Sequence, residues 1–380
     1  MRNSTSRSVS TSLDPARIAV VADCGFRKTR IGGKAVCLLT DALIEGHSAS
    51  LSSWRFGKVS QPERVPSREV PLRPGPLDAL RAMLIWTIQD LKDARALWRL
   101  MSGYPKPMRT IAGLGLCELP HWVWFTYSFL AIKLAYSPAA RFAAQFDELQ
   151  IVNYVNTKSM ALVRAFRSSG KSVCEIQHGL IGPTHPGYSN RAFWQMESRI
   201  SPTRFLVWNQ TTREFLESVS GRTAEVRGFD DSYYLSAADY LRERPRRSIL
   251  LTLQWGMTLP EPIIEMVQAF SDVHWILRPH PRDPIPPMDR RDCARLSRLE
   301  HVEVSDPSSP LVVELERCDL HVTENSSVVI EAATLGRKSI FWDVKSLDAF
   351  GAEVRAGMAL CREPVEVACC VRQLLNHAAA

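Results

Sequence analysis

The feature that most constrains this chain is a regular alternation of apolar runs and amphipathic segments in its C-terminal part. Apolar runs of strand length include residues 248–255, 273–279 and 338–343, and a segment of helical periodicity follows each of them. A looser form of the same alternation occupies residues 149–229. Strands that alternate with helices form βαβ units, and such units require a parallel sheet covered by helices.

Chain length indicates more than one such sheet. The 380 residues exceed what a single hydrophobic core usually organises. We predict an α/β protein with two Rossmann-like doubly wound domains that face each other across a cleft, at 16–240 and 247–380. The charged stretch at 241–247 is the predicted linker, and the polar residues 1–15, which lack the apolar run of a signal peptide, are a predicted disordered tail.

Two parts of the first domain carry helical patterns. A helix is predicted over 34–46, between strands at 16–23 and 48–54, with Gly32-Gly33 at its start. A longer helical region, at about 77–146, is predicted to be an insertion in the domain.

The most apolar segment of the insertion lies between Glu118 and Lys133, and it is too short to span a bilayer. One interpretation is a buried helix. The other is an anchor at a membrane interface, because Trp122 and Trp124 suit the headgroup boundary.

Composition narrows the classes of partner. The net charge of +7 is modest and spread out, which fits an acidic small ligand or an anionic membrane surface better than nucleic acid. The nine cysteines are scattered without a CxxC pair, so we expect a reduced, cytoplasmic protein. No zinc-finger spacing and no Asp-x-Asp signature occurs, and no metal site is predicted.

The segment Arg-Pro-His-Pro-Arg directly follows an apolar strand, at 278–282. Ligands of doubly wound sheets bind beyond the carboxyl ends of the strands. The prolines stiffen the backbone around His280, and Arg278 supplies a planar, permanent charge that suits phosphate. We therefore expect Arg278 and His280 to contact a phosphate group, with a stiff turn carrying solvated arginines as the alternative.

A second polar strand end follows the predicted strand at 319–323. Ser326 and Ser327 lie at a predicted helix start, where hydroxyl and backbone N–H groups can hold an anion. Glu331 follows about one helical turn later and could accept hydrogen bonds from ribose hydroxyls. With Asn325 these residues form a predicted nucleotide site, and a simple helix cap is the alternative.

The third polar strand end is Glu-Ile-Gln-His-Gly at 175–179, followed by His-Pro-Gly-Tyr at 185–188. His178 is the predicted general base, because a neutral imidazole can accept a proton near pH 7. Glu175 and Gln177 complete the predicted catalytic group. A hydrogen-bonded histidine in a polar turn is the alternative.

Together these three segments resemble the bacterial GT-B glycosyltransferases of surface-polysaccharide assembly, including capsule and lipopolysaccharide enzymes. The His-Pro and Ser-Ser pair is similar to the motifs by which bacterial sialyltransferases and Kdo transferases hold a CMP-sugar. The layout also resembles that of teichoic-acid polymerases that use CDP-glycerol. The resemblance covers roughly residues 150–345, and the acidic-acidic-glycine motif of the sialyltransferases is absent from the sequence.

The resemblance implies a glycosyltransferase that moves a sugar, with inversion, from a nucleotide-sugar donor to a surface-polysaccharide or lipid-linked acceptor. A CMP-sugar is the favoured donor. It implies that His280 contacts the donor phosphate, Ser326 and Ser327 hold phosphate oxygens, Glu331 holds the ribose, and His178 deprotonates the acceptor. Neither a metal nor a cofactor is implied, and the expected location is the cytoplasm, with peripheral association at the inner membrane.

Two other functions remain open. The nucleotide-sugar 2-epimerases share this two-domain fold and have a comparable serine and glutamate helix start, and they act on UDP-sugars without an acceptor. The chain could also be a partner without catalytic activity that binds a glycan or another transferase.

Overall fold

The computed structural model describes residues 17–23, 29–31, 34–37, 40, 44, 51–56, 63, 65–104, 108–111, 115–118, 120–227, 247–254, 258–280, 287–306, 309 and 311–378. The predicted tail at 1–15 lies outside these residues, as does the predicted linker apart from Arg247.

The strands, in chain order, are β1 (Ile18–Asp23), β2 (Thr29–Ile31), β3 (Lys34–Val36), β4 (Leu51–Phe56), β5 (Arg68–Glu69), β6 (Met108–Ile111), β7 (Gly115–Glu118), β8 (Glu148–Val152), β9 (Ser172–Ile176), β10 (Arg204–Val207), β11 (Thr223–Val226), β12 (Ser248–Thr252), β13 (His274–Arg278), β14 (Val302–Val304), β15 (Leu320–Thr323), β16 (Lys338–Phe341) and β17 (Ala359–Cys361).

The α-helices are α1 (Pro76–Leu84), α2 (Ile88–Ser102), α3 (His121–Ala143), α4 (Thr157–Ser168), α5 (Pro186–Ser189), α6 (Arg191–Trp194), α7 (Gln210–Ser220), α8 (Glu261–Ala269), α9 (Pro287–Leu296), α10 (Leu311–Arg317), α11 (Val328–Thr334), α12 (Leu347–Arg355) and α13 (Pro364–Ala378).

Two parallel sheets organise the molecule. The first has seven strands in the order β11-β10-β9-β8-β1-β4-β5, and the second has six in the order β14-β13-β12-β15-β16-β17. Each sheet starts from an inner strand and reverses direction once, between β1 and β8 in the first and between β12 and β15 in the second. This is the doubly wound order, whose reversal point opens a crevice at the carboxyl edge. The predicted α/β class with two doubly wound sheets is confirmed.

The central strands are apolar because both of their faces are covered. All five residues of β12 are buried, and so are the last four of β8 and of β9. Strands buried on both sides have no polar alternation, which is why they appear in the sequence as continuous apolar runs.

Side-chain caps fix where the helices begin after two strands of the first sheet. The Asn156 side chain accepts a hydrogen bond from Ser159 N at 2.8 Å at the start of α4. The Asn209 side chain does the same for Thr212 N at the start of α7. Helix α7 then ends at Gly221, whose φ of 63° lies in the left-handed region that glycine adopts without a Cβ clash.

The predicted insertion contains the helices α1, α2 and α3. Helix α2 begins with a capping box in which Thr87 and Asp90 satisfy each other's backbone N–H groups. Between α2 and α3 the chain forms the antiparallel pair β6 and β7, which the helical prediction missed. Glycine is a poor helix former, and Gly113 and Gly115 fall within this short segment.

The prediction of a helix over 34–46 is wrong for its first three residues. Residues 34–36 form β3, which pairs antiparallel with β2. Further on, Ile44 N donates to the Thr40 carbonyl at 3.0 Å, which is the i to i−4 bond of an α-helix. The proposed Gly32-Gly33 start lies outside the described residues.

Helix α3 combines features of both interpretations of the apolar segment. Phe129 and Ile132 are buried in the core of the first unit, whereas the Trp122 side chain is 63% exposed. Over the part of the chain that the structure describes, none of the helices combines the length and the apolar character needed to cross a membrane.

Candidate functional site

The side chain of Gln177 joins two loops at the carboxyl edge of the first sheet. Its Oε1 accepts a hydrogen bond from Trp208 N at 2.8 Å, and its Nε2 donates to the Gly179 carbonyl at 3.0 Å. Gln177 is also almost fully buried. These contacts give Gln177 a positioning role, since its amide holds the loops that follow β9 and β10.

His178 lies directly beyond this amide, two residues after β9 ends. Its side chain is 17% exposed, and its Nδ1 lies 3.9 Å from Glu175 Oε1. Burial, and to a smaller extent the nearby His185, lower the pKa of His178 to about 4. The imidazole is therefore neutral at pH 7, which is the state in which it can accept a proton.

Glu175 lies beneath His178 and has no exposed surface. Its Oε1 accepts hydrogen bonds from the Tyr188 hydroxyl at 2.6 Å and from Tyr154 N at 3.2 Å. Burial raises its pKa to about 8, so the carboxyl group is largely protonated at pH 7. The Glu175 side chain thus supports His178 from inside the protein instead of facing a substrate.

The His-Pro-Gly-Tyr segment at 185–188 completes the surroundings of Glu175. The Tyr154 hydroxyl donates to the Gly187 carbonyl, and His185 Nδ1 accepts from Gly187 N at 3.2 Å. A Cβ on Gly187 would lie 2.7 Å from the Tyr104 hydroxyl oxygen and 2.8 Å from Val155 Cγ1. Only glycine fits there without displacing the side chains around it.

Tyr154 and Tyr104 are parts of this cluster that the sequence did not indicate. They follow β8 and α2, so only the fold brings them to the end of β9. The segment at 185–188 was visible in the sequence, but its partners were not.

Arg278, at the end of β13, turns into the protein. Its guanidinium donates to the Ser309 carbonyl at 2.6 Å, lies 4.0 Å from a Glu314 carboxylate oxygen, and is 7% exposed. Burial lowers its pKa, and the charges of Glu314, Glu331 and Asp306 oppose that shift. The alternative of a solvated arginine is wrong for Arg278. His280 follows two residues later and is half-buried, and Arg282 lies outside the described residues.

The loop after β15 carries the other predicted ligands. Asn325 is exposed and donates to Asp343 Oδ2 at 3.3 Å, while Ser326 Oγ accepts from Val328 N at 3.3 Å. Ser327 immediately precedes α11, and its side chain makes no capping hydrogen bond. Glu331 lies in the first turn of α11.

The structure brings these two strand ends together. Strands β13 and β15 both pair with β12, so their ends lie about 10 Å apart at the same edge of the sheet. The negative charge of Glu331 also opposes the lowering of the Arg278 pKa by burial.

The loops of the first sheet also reach the second unit. Leu180 and Trp208, which follow β9 and β10, pack against an apolar cluster that includes Val329 and Ile330 of α11. Leu180 is two residues from His178, and Val329 is two residues from Ser327. The predicted base and the predicted donor ligands therefore flank one contact between the units.

His321 is a titratable residue that sequence reasoning passed over. It lies fully buried in β15, between the hydroxyls of Thr252 and Ser339, each at 2.9 Å from a ring nitrogen. Burial lowers its pKa to about 3. Both ring nitrogens are occupied within the sheet, so His321 is a structural residue.

Within the described residues, no group of three or more His, Cys, Asp or Glu side chains is arranged to hold a metal ion.

No protein-family model matches this chain, and no curated protein matches it by sequence. Solved structures match it by fold. The glycotransferase of kitacinnamycin is 13% identical, with a TM-score of 0.56 over 96% of this chain and 92% of that chain. The UDP-GlcNAc 2-epimerase from Neisseria meningitidis bound to UDP-GlcNAc is 12% identical, with a TM-score of 0.55 over 96% and 92%. The glycosyltransferase SnogD from Streptomyces nogalater is 12% identical, with a TM-score of 0.51 over 95% of each chain.

The chain has the GT-B fold. That fold accommodates both transferases and epimerases among the matched structures, so the reaction has to be inferred from the residues at the strand ends.

Proposed function

We propose that this chain is a glycosyltransferase that moves a sugar from a nucleotide-sugar donor to a hydroxyl of a polysaccharide or lipid-linked glycan. The observation that carries the proposal is the arrangement around Leu180. A neutral, partly exposed His178 lies on one side of the contact between the units, and the hydroxyl-rich loop before α11 lies on the other.

In the proposed reaction His178 accepts the proton of the acceptor hydroxyl. The acceptor oxygen forms a bond to the anomeric carbon while the bond from that carbon to the phosphate oxygen breaks. The nucleotide leaves with the electron pair, and one in-line displacement inverts the anomeric centre. Gln177 and Glu175 act on this step through the loop, because they hold it without being exposed.

The donor is proposed to lie beyond β13 and β15. His280 and the hydroxyls of Ser326 and Ser327 are the proposed phosphate contacts, with Asn325 beside them and Glu331 on the ribose. Arg278 is reassigned from a direct ligand to a residue that positions the loop at Ser309, since its guanidinium is buried against that loop. Preorganised donors of this kind can stabilise a leaving phosphate without a metal.

The proposed donor is a CMP-sugar, on the resemblance of the His-Pro and Ser-Ser segments. A UDP-sugar 2-epimerase is the second candidate, and the fold match to an epimerase bound to UDP-GlcNAc favours it. The two candidates differ in whether they require an acceptor, because an epimerase converts its sugar nucleotide in the absence of any acceptor.

A nucleotide panel followed by a product assay tests the proposal. A ligand that prefers the native state raises the midpoint of thermal unfolding, so CMP, CDP, UDP and GDP are compared first. We expect the largest shift with CMP, and nucleotide release from a CMP-sugar that increases when a glycan acceptor is added. An epimerised sugar from UDP-sugar alone would establish the second candidate. No shift with any nucleotide would favour a binding partner without catalytic activity.

A further inference from the structure

The helical insertion exposes an unusual share of large apolar side chains. Sixteen large hydrophobic residues are exposed among the described residues, and eleven of them lie between residues 77 and 130. Leu77 is 81% exposed and Ile88 is 77% exposed. The eleven are Leu77, Leu80, Leu84, Ile85, Trp86, Ile88, Leu91, Trp98, Trp122, Tyr127 and Leu130.

These side chains follow helical spacing. Leu77, Leu80 and Leu84 recur at i, i+3 and i+7 along α1, which places them on one side of that helix. Ile88, Leu91 and Trp98 do the same along α2 at i, i+3 and i+10. The opposite side of α2 carries its buried residues, so the exposed stripe is the side turned away from the core.

Aromatic contacts beneath the exposed side chains hold the three helices against each other. Trp98 meets Phe125 of α3 with ring centroids 5.5 Å apart, and Phe125 stacks on Phe129 at 5.9 Å. Phe129 in turn meets Trp86, in the loop between α1 and α2, at 5.4 Å. We call the exposed apolar residues of 77–130 the insertion face.

The charges of α1 and α2 are sorted by sign. The exposed ones are all basic, namely Arg81, Lys92, Arg95 and Arg99, and Lys92 forms an ion pair with the exposed Glu197 at 2.5 Å. Each acidic side chain is engaged within the protein: Asp78 by Arg141, and Asp90 and Asp93 by Arg164. The side chains of α1 and α2 that border the apolar stripe are therefore basic and not acidic, and Glu197 offsets one of these four charges.

We propose that the insertion face binds an anionic lipid membrane from one side, with α1, α2 and the first half of α3 at the level of the headgroups. Apolar and tryptophan side chains enter the boundary between headgroups and acyl chains, and basic side chains meet the anionic headgroups. This sorting of charge favours a lipid surface over a second copy of the chain, because two such faces would bring like charges together. The inference is independent of the donor nucleotide and of the reaction.

Vesicle flotation with the full chain tests the inference. We expect binding to vesicles of phosphatidylcholine with phosphatidylglycerol, weaker binding to phosphatidylcholine alone, and weakening by salt. Replacing Arg95 or Arg99 by Gln should reduce binding to the anionic vesicles by about fivefold each. Replacing Leu84 or Leu91 by Ser should reduce it by about tenfold or more each.

The matched control is Val365→Ser, which removes an apolar side chain that is 72% exposed in the second unit. It should leave vesicle binding unchanged. All variants are first compared by circular dichroism and urea unfolding, since exposed positions should tolerate these changes. Absence of binding to anionic vesicles, or equal binding by the Leu84→Ser and wild-type proteins, would overturn the inference. So would a dimer in solution that dissociates on Leu84→Ser.

Discussion

His178 and His321 have similar electrostatics and different positions in their sheets. Burial lowers the pKa of both, to about 4 for His178 and about 3 for His321. His321 lies within β15, and hydroxyls of the adjacent strands occupy both of its ring nitrogens. His178 lies beyond the end of β9 and keeps 17% of its side chain exposed. A lowered pKa thus identifies a neutral histidine, whereas the position of His178 at the carboxyl edge leaves its ring accessible for chemistry.

The largest effect is expected from His178→Ala. If His178 is the general base, its removal should slow sugar transfer by about 10²- to 10⁴-fold. The free energy of unfolding should change by no more than about 1 kcal/mol, because the ring lies at the end of a strand. Nucleotide release in the presence of acceptor and urea unfolding measure the two quantities. Normal turnover in the folded variant would remove His178 from the mechanism.

His321→Ala should show the opposite pattern. The Thr252 and Ser339 hydroxyls would lose their buried partner and a cavity would form, at a cost of about 3 kcal/mol in unfolding free energy. The turnover of the molecules that remain folded should be unchanged. His274→Ala is the matched control, since that histidine is partly exposed and pairs with Glu303 near the surface. If His321→Ala lowers the unfolding free energy no more than His274→Ala does, the hydrogen bonds of His321 to Thr252 and Ser339 do not contribute to stability.

Two glycines near His178 differ in how closely other atoms surround them. Gly187→Ala places a Cβ against Tyr104 and Val155, so we expect a loss of about 2 kcal/mol in stability and impaired transfer. Gly179→Ala meets no atom within 4 Å, and it should be tolerated. Denaturant unfolding and transfer rates for both variants are the relevant measurements. Equal stability and equal transfer rates of the two variants would contradict the tight packing around Gly187.

Glu175 and the two histidines, His178 and His321, make the stability of the protein depend on pH in opposite directions. The folded-state pKa of Glu175 is about 8, above its ordinary 4.5, so the folded protein holds the extra proton and loses stability as pH rises from 4.5 to 8. The pKa values of His178 and His321 lie below the ordinary 6.5, so stability also falls as pH drops from 6.5 towards 4 and 3.

Glu175→Gln should therefore flatten the decline in stability between pH 4.5 and 8, by up to about 1.4 kcal/mol per pH unit. Urea unfolding at a series of pH values measures the slope, and Glu300→Gln at an exposed position is the control. A slope identical to that of the wild type would mean that Glu175 is already ionised at neutral pH.

The α/β architecture was predictable because buried parallel strands leave an apolar signature that depends on local sequence alone. The β2–β3 and β6–β7 pairs were not predictable by the same means, since their strands are only three or four residues long. At that length a strand and a helical turn have nearly the same pattern.

The sequence predicted where the candidate site lies in the fold, but not the orientation and the hydrogen-bond partners of its side chains. The polar residues after β9, β13 and β15 were evident from where each apolar run ends. The inward turn of Arg278 was not, because Glu314 is distant in sequence and approaches only through α10. Likewise the hydrogen bonds of Glu175 depend on Tyr154, which follows β8, and on Tyr188 in α5, and only the fold brings these two residues to Glu175.

We propose that the second unit binds the nucleotide while His178, in the first unit, performs the proton transfer. Calorimetric titration of the preferred nucleotide into the wild type, His178→Ala and the double variant Ser326→Ala/Ser327→Ala tests it directly. We expect His178→Ala to bind the nucleotide like the wild type without catalysing transfer, and the double serine variant to lose most of its affinity. Loss of nucleotide binding in His178→Ala, or full affinity in the double serine variant, would contradict this division of roles.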